Sequence, residues 1–327
     1  MTQKSSKTIC VVGGSGFVGH HLVAHLVSRG YRVVVPARRR EWAKDLAVMP
    51  SVEVVQANAH DVDVMKALLE GVDAVINLVG LLHETAASGH DIQRQERGSF
   101  HYAHVELPRK IVQACLAAGV PRLVHMSALG ADAASPSAYQ RSKAAGEAVV
   151  REAGGRLRFT IFRPSVIYGP GDSFLTLFSR LLRFSPMVPL AGGGSRFQPV
   201  YVGDVVRAFA DALDMPASEG QTYSLCGPKV YALAELVRLT ARQLGMRRWV
   251  LPLGATASYW FARMMELKPG RKIMTRDNHY AMLKDNVCLP GHSSPFPCNT
   301  DLESVIGYLS EHGPRRAYQH HRARAGR

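Results

Sequence analysis

Short apolar runs alternate with amphipathic stretches along the first half of the chain. Six runs, most of them rich in β-branched residues, predict buried strands: KTICVVGG, YRVVVPA, VEVVQAN, DAVINLVG, RLVHMSA and RFTIFRP. Between most of them the pattern predicts helices at Phe17–Arg29, Asp63–Glu70, Ile92–Ala118 and Ser137–Ala153. Such an alternation implies a parallel sheet covered on both faces, because each crossover helix packs against the sheet. The predicted fold class is therefore α/β, with a doubly wound parallel sheet.

The alternation weakens beyond about Gly169, where proline and glycine interrupt the pattern more often. This change predicts a smaller second part of the chain, a substrate lobe interleaved with the last strands of the sheet. We therefore expect a core over residues 1–168 with returning elements near 196–226, a C-terminal lobe over 169–313 and a basic, disordered tail over 314–327.

The charge balance indicates which partners the chain can attract. It contains 40 Lys and Arg residues against 26 Asp and Glu residues, which gives a net charge of +14. This excess favours anionic partners, among them phosphorylated cofactors and acidic lipid surfaces. No nucleic-acid-binding motif accompanies the basic residues, so nucleic acid is not an expected partner.

Cysteine usage and the N-terminal sequence bear on the compartment. The five cysteines lack C-x-x-C spacing and histidine partners at ligand spacing, so we expect neither a disulfide framework nor a metal site. The N-terminus runs into the first predicted strand without an apolar signal segment, and no apolar run reaches spanning length. These features favour a cytoplasmic protein, and they leave open a peripheral contact with the inner face of the membrane.

The first predicted strand leads into the sequence VVGGSGFVGHHL, in which Gly13, Gly16 and Gly19 have the spacing G-x-x-G-x-x-G. Glycines at such a junction let the backbone approach a pyrophosphate, and the next helix offers N–H donors at its N-terminus. A dinucleotide is therefore the expected ligand, and the core is expected to be of the Rossmann type. The alternative is a glycine turn with a purely structural role.

The choice of dinucleotide depends on the end of the second predicted strand. The sequence PARRR places Arg38, Arg39 and Arg40 there, with no acidic residue before Glu41. An acidic residue at this point binds the ribose hydroxyls of NAD(H), whereas a guanidinium group pairs with the 2′-phosphate of NADP(H). We therefore expect NADP(H) to be preferred over NAD(H). The alternative is a solvated basic loop.

The sequence SAYQRSKAAGE places Tyr139 and Lys143 four residues apart on a predicted helix. This spacing puts both side chains on one face, where the ammonium group can lower the pKa of the phenol and bind a ribose. Ser127 ends the predicted strand RLVHMS, and we expect its hydroxyl within a few ångströms of the phenol oxygen, where it would steady a substrate oxygen. In the alternative, the tyrosine is a half-buried helix residue and the lysine its solvated neighbour.

Several motifs in order, GGSGFVG, VINLVG, SAYQRSKAAGE, FRPSVIYGPGD and FQPVYVGDVVRA, resemble the atypical and extended short-chain dehydrogenase/reductases, which are NAD-dependent epimerase/dehydratase-like. Within that family the chain is most similar to the branch of the nucleotide-binding accessory subunit of mitochondrial respiratory complex I and its bacterial relatives. The resemblance implies a catalytic set of Tyr139, Lys143 and Ser127. It also implies cofactor contacts from Gly13, Gly16, Phe17, Val18, Gly19, Arg38, Arg39, Asn58, Val79, Gly80, Tyr139, Lys143, Pro164 and Val166.

Two functions follow from these observations. The first is an oxidoreductase or epimerase that acts on an unidentified carbonyl or hydroxyl substrate, with a quinone-like compound and a nucleotide sugar among the candidates. The second is a non-catalytic NADPH-binding accessory protein of a complex I-like or ubiquinone-biosynthesis assembly. The segment Trp249–Lys272 is predicted as an amphipathic helix that caps the lobe, with contact to a membrane surface or to an apolar substrate as alternatives.

Overall fold

The computed structural model describes residues 6–82, 84, 99–267, 274–289, 291 and 294–311. The chain forms two compact units. The first unit contains Met1–Pro164, Val205–Leu225 and Pro290–Pro297, and the second contains Ser165–Asp204, Cys226–Leu289 and Cys298–Arg327.

The first unit is built on a seven-stranded sheet in which every pair of neighbouring strands is parallel. The strands are β1 (Thr8–Val12), β2 (Arg32–Ala37), β3 (Val52–Gln56), β4 (Ala74–Asn77), β5 (Arg122–Met126), β6 (Arg158–Pro164) and β11 (Gln221–Leu225). Their spatial order is β11-β6-β5-β4-β1-β2-β3, so the chain runs outward from β1 in one direction and then returns to extend the sheet in the other. The predicted parallel sheet is confirmed.

Helices flank this sheet, and the four that begin at Phe17, Val62, Leu107 and Ala138 lie in segments where the periodicity predicts helices. The helices are α1 (Phe17–Ser28), α2 (Lys44–Ala47), α3 (Val62–Leu68), α4 (Leu107–Ala118), α5 (Ala138–Glu152) and α7 (Val202–Leu213). Most of α7, from Val205 on, belongs to the first unit. A π-helical turn, Tyr102–Glu106, leads directly into α4. Residues 92–98 of the helix predicted from Ile92 lie outside the described residues.

Local side-chain chemistry explains where two of these helices begin. The Asp61 side chain accepts hydrogen bonds from the backbone N–H groups of Asp63 and Val64 at the start of α3. The Ser137 hydroxyl accepts one from the N–H of Gln140 at the start of α5. The core of the unit packs β-strand residues such as Val12 against α3, α4 and α5.

The second unit combines short strand pairs with helices. Its strands are β7 (Ile167–Tyr168), β8 (Met187–Ala191), β9 (Arg196–Phe197), β10 (Val200–Tyr201), β12 (Tyr231–Ala232) and β13 (Trp249–Leu253). Pairs β7–β10 and β8–β13 are parallel, and β9–β12 is antiparallel. Its helices are α6 (Phe174–Phe184), α8 (Leu233–Gln243), α9 (Ala255–Leu267), α10 (Arg276–Ala281), α11 (Leu302–Val305) and α12 (Tyr308–Glu311).

Two expectations are wrong in this unit. Cys226 and Cys288 form a disulfide, although their separation of 62 residues carries no motif in the sequence. The segment from Trp249 begins with strand β13 rather than a helix, because Val250 alternates with exposed neighbours and packs inward. Helix α9 follows it, and residues 268–272 of the predicted helix lie outside the described residues, as does the tail 314–327. Among the described residues, no helix is both long and apolar enough to cross a membrane.

Candidate active site

The carboxyl ends of the parallel strands bring most of the predicted site residues to one edge of the sheet. In parallel sheets these ends lie side by side, and ligands of α/β proteins bind there. The residues just beyond or at a strand end are Gly13 (β1), Arg38 (β2), Asn58 (β3), Val79 and Gly80 (β4), Ser127 (β5) and Pro164 (β6). Val166 belongs instead to the second unit.

The glycine turn between β1 and α1 is closely packed. A Cβ atom on Gly19 would lie 2.4 Å from the carbonyl oxygens of both Gly13 and Gly14, so only glycine lets the helix approach the turn this closely. No side chain caps the N-terminus of α1, which begins at Phe17. The first-turn N–H groups of α1 are therefore available to an anion, and the turn fits a pyrophosphate.

Two arginines at the end of β2 lie over a tryptophan that the sequence did not single out. The guanidinium carbons of Arg38 and Arg39 are 5.6 and 5.4 Å from the ring centroid of Trp42. Among the described residues, neither arginine forms an ion pair with a carboxylate. The indole ring therefore orients two uncompensated cations at the ligand edge of the sheet, which is the arrangement a phosphate group requires.

Tyr139 and Lys143 occupy the first turns of α5. The half-buried Tyr139 ring packs edge-on against Phe100 and His104, at centroid distances of 5.7 and 5.5 Å. Lys143 is buried, and its Nζ donates a hydrogen bond to the carbonyl oxygen of Met126 at 3.3 Å. Burial lowers the pKa of Lys143 to about 8, although the nearby Glu147 charge acts to raise it. A Cβ atom on Gly80 would be 3.1 Å from this Nζ, so the ammonium group lies directly against the end of β4.

Two buried histidines near Lys143 are held in the neutral form. Burial, and then the Lys143 charge, lower the pKa of His104 to about 2 and that of His125 to about 3. The N–H of Leu81 donates to His104 Nε2 at 2.9 Å, so the ring proton is on Nδ1 and is donated to Ser142 Oγ at 2.8 Å. The Ser142 hydroxyl in turn donates to the Tyr139 carbonyl oxygen at 2.7 Å.

His125 has a comparable fixed partner. The Asn77 side chain accepts a hydrogen bond from the N–H of Val79 through Oδ1, which orients its amide so that Nδ2 donates to His125 Nδ1 at 3.1 Å. Both histidines therefore keep their ring protons on defined atoms. Neither adds a positive charge beside Lys143 over the ordinary pH range.

Glu147, one turn after Lys143, is a fully buried carboxylate at the centre of an ion-pair cluster. Arg163 binds it through two hydrogen bonds, Nε to Oε1 at 2.7 Å and Nη2 to Oε2 at 2.6 Å, and Arg151 Nη2 binds Oε2 at 2.7 Å. Burial alone would raise the pKa of Glu147, but the hydrogen bonds outweigh it and keep that pKa below its usual value. The carboxylate is therefore ionised and neutralised within the first unit.

The buried Ser127 hydroxyl lies on the Glu147 side of the β5 end. It is close enough to help lower the pKa of Glu147, yet within the described part of the chain its Oγ has no hydrogen-bond partner of normal geometry. Accordingly, no hydrogen bond joins it to Tyr139 in this structure. A buried hydroxyl without a partner costs about 1–3 kcal/mol, which a substrate oxygen would recover.

The position of α5 depends on a close contact with the π-helical turn. A Cβ atom on Gly146 would lie 2.0 Å from the carbonyl oxygen of His104. Only glycine therefore lets the helix that carries Tyr139 and Lys143 pack at this distance. Turns of this type often occur at functional sites, and this one supplies His104.

Sequence reasoning gave no role to Trp42, His125, Asn77 or Glu147. The sequence did contain signals for three of them, Asn77, His125 and Glu147. Asn77 and His125 are polar residues inside apolar strands, and a buried polar side chain requires a partner. Glu147 is four residues after Lys143, so both lie on one face of α5. The burial of Lys143 removes the alternative in which it is a solvated neighbour.

Comparisons with known proteins identify the family and the fold. Residues 9–226 match the model of the NAD dependent epimerase/dehydratase family, and the chain belongs to that family. It is 32% identical over 273 residues to mitochondrial subunit 9 of the NADH dehydrogenase (ubiquinone) 1 alpha subcomplex from Mus musculus, covering 82% of this chain and 69% of that protein. The Arabidopsis thaliana protein of the same name is 35% identical, over 70% of this chain and 56% of that protein.

An enzyme is also among the relatives. The ceramide reductase of Caulobacter vibrioides is 28% identical over 76% of this chain and 74% of its own length. Among solved structures, DesIV, a dTDP-glucose 4,6-dehydratase from Streptomyces venezuelae with NAD and TYD bound, superimposes with a TM-score of 0.70 at 22% identity, over 97% of this chain and 98% of that chain. At that identity the likeness supports the fold alone.

Proposed function

We propose that this protein is an NADP(H)-dependent oxidoreductase of the short-chain type, which interconverts a carbonyl group and the corresponding hydroxyl group. The observation that carries the proposal is the environment of Lys143. Its buried ammonium group lies one helical turn from Tyr139 and is flanked by histidines that stay neutral. A lone buried cation beside a phenol stabilises the phenolate that forms when the phenol gives up its proton.

The residues at the sheet edge fit the dinucleotide. The turn from Gly13 to Gly19 would hold the pyrophosphate, Arg38 and Arg39 would bind the 2′-phosphate, and Lys143 would donate to the ribose hydroxyls. A nicotinamide cofactor supplies or accepts the hydride in such reactions. The uncompensated guanidinium groups over Trp42 support NADP(H) over NAD(H).

In the direction of reduction, the Tyr139 phenol donates its proton to the carbonyl oxygen as the carbon accepts hydride, so that C=O becomes CH–OH. The Lys143 ammonium group stabilises the resulting phenolate, and the Ser127 hydroxyl would turn from Glu147 to donate a hydrogen bond to the substrate oxygen. The reverse transfer oxidises an alcohol. An epimerase would use the same groups and return hydride to the same carbon from the other face.

A Tyr139→Phe variant tests this role. With NADPH and a panel of ceramide precursors, 2-alkyl-3-oxoalkanoates and nucleotide sugars, chosen from the names of relatives and structural neighbours, we expect turnover of at least one compound by the wild type. Loss of the phenol hydroxyl should lower that rate by about 10² to 10⁴ with little change in NADPH affinity. Tyr223→Phe is the matched control, since among the described residues its exposed hydroxyl donates one weak hydrogen bond, to the Ala217 carbonyl oxygen at 3.4 Å. Equal rates in wild type and Tyr139→Phe would exclude a proton-transfer role.

Cofactor preference is tested separately by calorimetric titration. NADPH should bind at least several-fold more tightly than NADH, and Arg38→Ala should remove most of that difference, because a charge-assisted pair with phosphate contributes about 1.5–3 kcal/mol. Arg40→Ala is the control, because Arg40 does not stack on Trp42. Equal affinities of the wild type for the two cofactors would contradict NADP(H) preference.

A second function is supported by the identity with the mitochondrial subunit. In that case the protein holds NADPH as an accessory of a respiratory complex I-like or ubiquinone-biosynthesis assembly and does not turn it over. In that case the purified protein should retain NADPH tightly, and no compound of the panel should oxidise it. The Tyr139→Phe variant should retain NADPH as tightly as the wild type. Activity that depends on Tyr139 would exclude it.

A further inference from the structure

A pocket of about 420 Å³ in the second unit is lined largely by arginine. We call it the arginine pocket, and its lining residues are Arg238, Ala241, Arg242, Met246, Arg247, Arg248 and Trp249. None of these residues is acidic. Over the described ranges of the chain, none of the four guanidinium groups forms an ion pair with a carboxylate. Arg248 donates a hydrogen bond from Nε to the Leu182 carbonyl oxygen at 2.7 Å, which is a neutral partner. The pocket therefore concentrates positive charge, which attracts an anion.

The chain path explains why the cations converge. Arg238 and Arg242 are four residues apart on exposed positions of α8, so they lie one turn from each other on the same face. Gly245, with a φ of +67°, ends the helix and turns the chain back, and Arg247 and Arg248 follow before β13 begins. Like charges at i,i+4 mildly destabilise a helix, so an anion bound between Arg238 and Arg242 would stabilise α8.

An exposed apolar surface adjoins the arginine pocket at Trp249, whose side chain is 74% exposed. In the parallel pair of β8 and β13, Trp249 is opposite Met187 and Leu251 is opposite Pro189. These four residues are exposed, whereas Val188, Leu190 and Val250 on the same strands pack into the core. We call this surface the outer ladder face. Phe184, the last residue of α6, is 90% exposed only three residues before β8.

Helix α9 adds a second exposed apolar row in the same unit. Trp260, Met264 and Leu267 have i, i+4 and i+7 spacing and are 61%, 55% and 82% exposed. Ser258 and Ala262 are the buried residues of this helix. The helix therefore exposes one row of large apolar side chains, while Phe261, Ala262 and Met265 are half-buried or buried.

We propose that this surface of the second unit binds an anionic phospholipid membrane. Phosphate headgroups enter the arginine pocket, while Trp249 and the outer ladder face insert at the boundary between headgroups and acyl chains. Tryptophan and arginine are the side chains that favour this boundary, since each combines an apolar body with a polar end. The net charge of +14 draws the whole chain toward the same surface. This binding is independent of the oxidoreductase chemistry of the first unit.

The test is sedimentation of the full-length protein with vesicles of phosphatidylcholine alone or mixed with phosphatidylglycerol. We expect binding to the mixed vesicles at low salt, release as salt screens the charges, and little binding to phosphatidylcholine alone. Arg242→Ser should weaken binding about fivefold, which corresponds to one arginine near an anionic surface. Arg156→Ser, which removes an exposed arginine from the first unit, is the matched control and should change binding little. Equal losses in the two variants would mean attraction by net charge alone and would overturn the proposal.

Insertion is tested through the tryptophans. In a Trp42→Phe, Trp260→Phe background, brominated acyl chains in the mixed vesicles should quench Trp249 fluorescence. Trp249→Ser in the otherwise native chain should weaken vesicle binding, whereas Val48→Ser, at an 83% exposed position of the first unit, should not. Unquenched Trp249 would overturn the insertion. Binding of inorganic phosphate without binding of vesicles would identify a site for a free anion and would contradict membrane binding. Failure to bind the mixed vesicles at low salt would also show that the protein does not bind this membrane.

Discussion

The two units are distinguished by different side chains, buried polar groups around Lys143 in the first and exposed apolar and basic groups in the second. The first unit takes Lys143, His104, His125 and Glu147 into its interior and gives each of them partners from the same unit. The second unit has tryptophans and a phenylalanine on its surface, together with arginines that have no carboxylate partner among the described residues. A buried polar group is costly unless it is bonded, so the sequence of the first unit is constrained by its own chemistry. The surface of the second unit implies a constraint from outside the chain.

The largest expected effect in this comparison comes from Glu147. Glu147→Ala leaves Arg163 and Arg151 without their carboxylate and should lower the free energy of unfolding by about 3–5 kcal/mol, the usual result of breaking a buried ion pair. Urea unfolding of the full chain measures it. Glu266→Ala is the control, because its pair with Arg276 in the second unit is partly exposed and should contribute less than about 1 kcal/mol. Similar losses in both variants would remove the contrast between the two units.

The second-largest loss of stability is expected from removing the disulfide. Replacing Cys226 and Cys288 together by serine opens a loop with a separation of 62 residues and should lower stability by about 2–4 kcal/mol. Hydrogen exchange should show the added opening in the second unit, with protection of the β1–β6 strands retained. Cys298→Ala, a change at a buried cysteine of the same unit outside the disulfide, is the comparison variant. Added exchange that is uniform over both units would show that they unfold together.

The smallest effect concerns the charge of Lys143. Its pKa is lowered to about 8, so the ammonium form predominates below pH 8 and is lost above it. Since only the charged form fully holds the ribose, NADPH affinity should fall about tenfold between pH 7 and pH 9. The neighbouring His104 and His125 remain neutral over that range, and Glu147 remains ionised. Calorimetric titration with NADPH at several pH values measures the change. In the Lys143→Met variant, NADPH affinity should no longer depend on pH over this range. A wild-type affinity independent of pH would show that Lys143 does not bind the cofactor through its charge.

Much of the first unit was predictable because strand and helix periodicities are local. The strands from Thr8 to Pro164 and the helix with Tyr139 follow directly from alternation and spacing. Features that depend on distant residues were not predictable. Cys226 meets Cys288 only after folding. Trp42 is a different case, because it is only four and three residues from Arg38 and Arg39, and the short 3-10 turn Arg40–Ala43 sets the contact of its ring with both guanidinium groups. Strand β13 was missed because its exposed tryptophan and leucine resemble one face of a helix as much as one face of a strand.

The contact of Gly146 with the His104 carbonyl oxygen also has diagnostic value. Because a single added methyl group would collide with that oxygen, the residue at this position indicates how close the helix lies to the π-helical turn. In a related chain, alanine or a larger residue there would signal a helix displaced outward. Its tyrosine and lysine would then be carried away from the sheet edge, even if both were still present. The residue at this position therefore distinguishes family members whose tyrosine and lysine lie at the sheet edge from members that retain only the sequence motif.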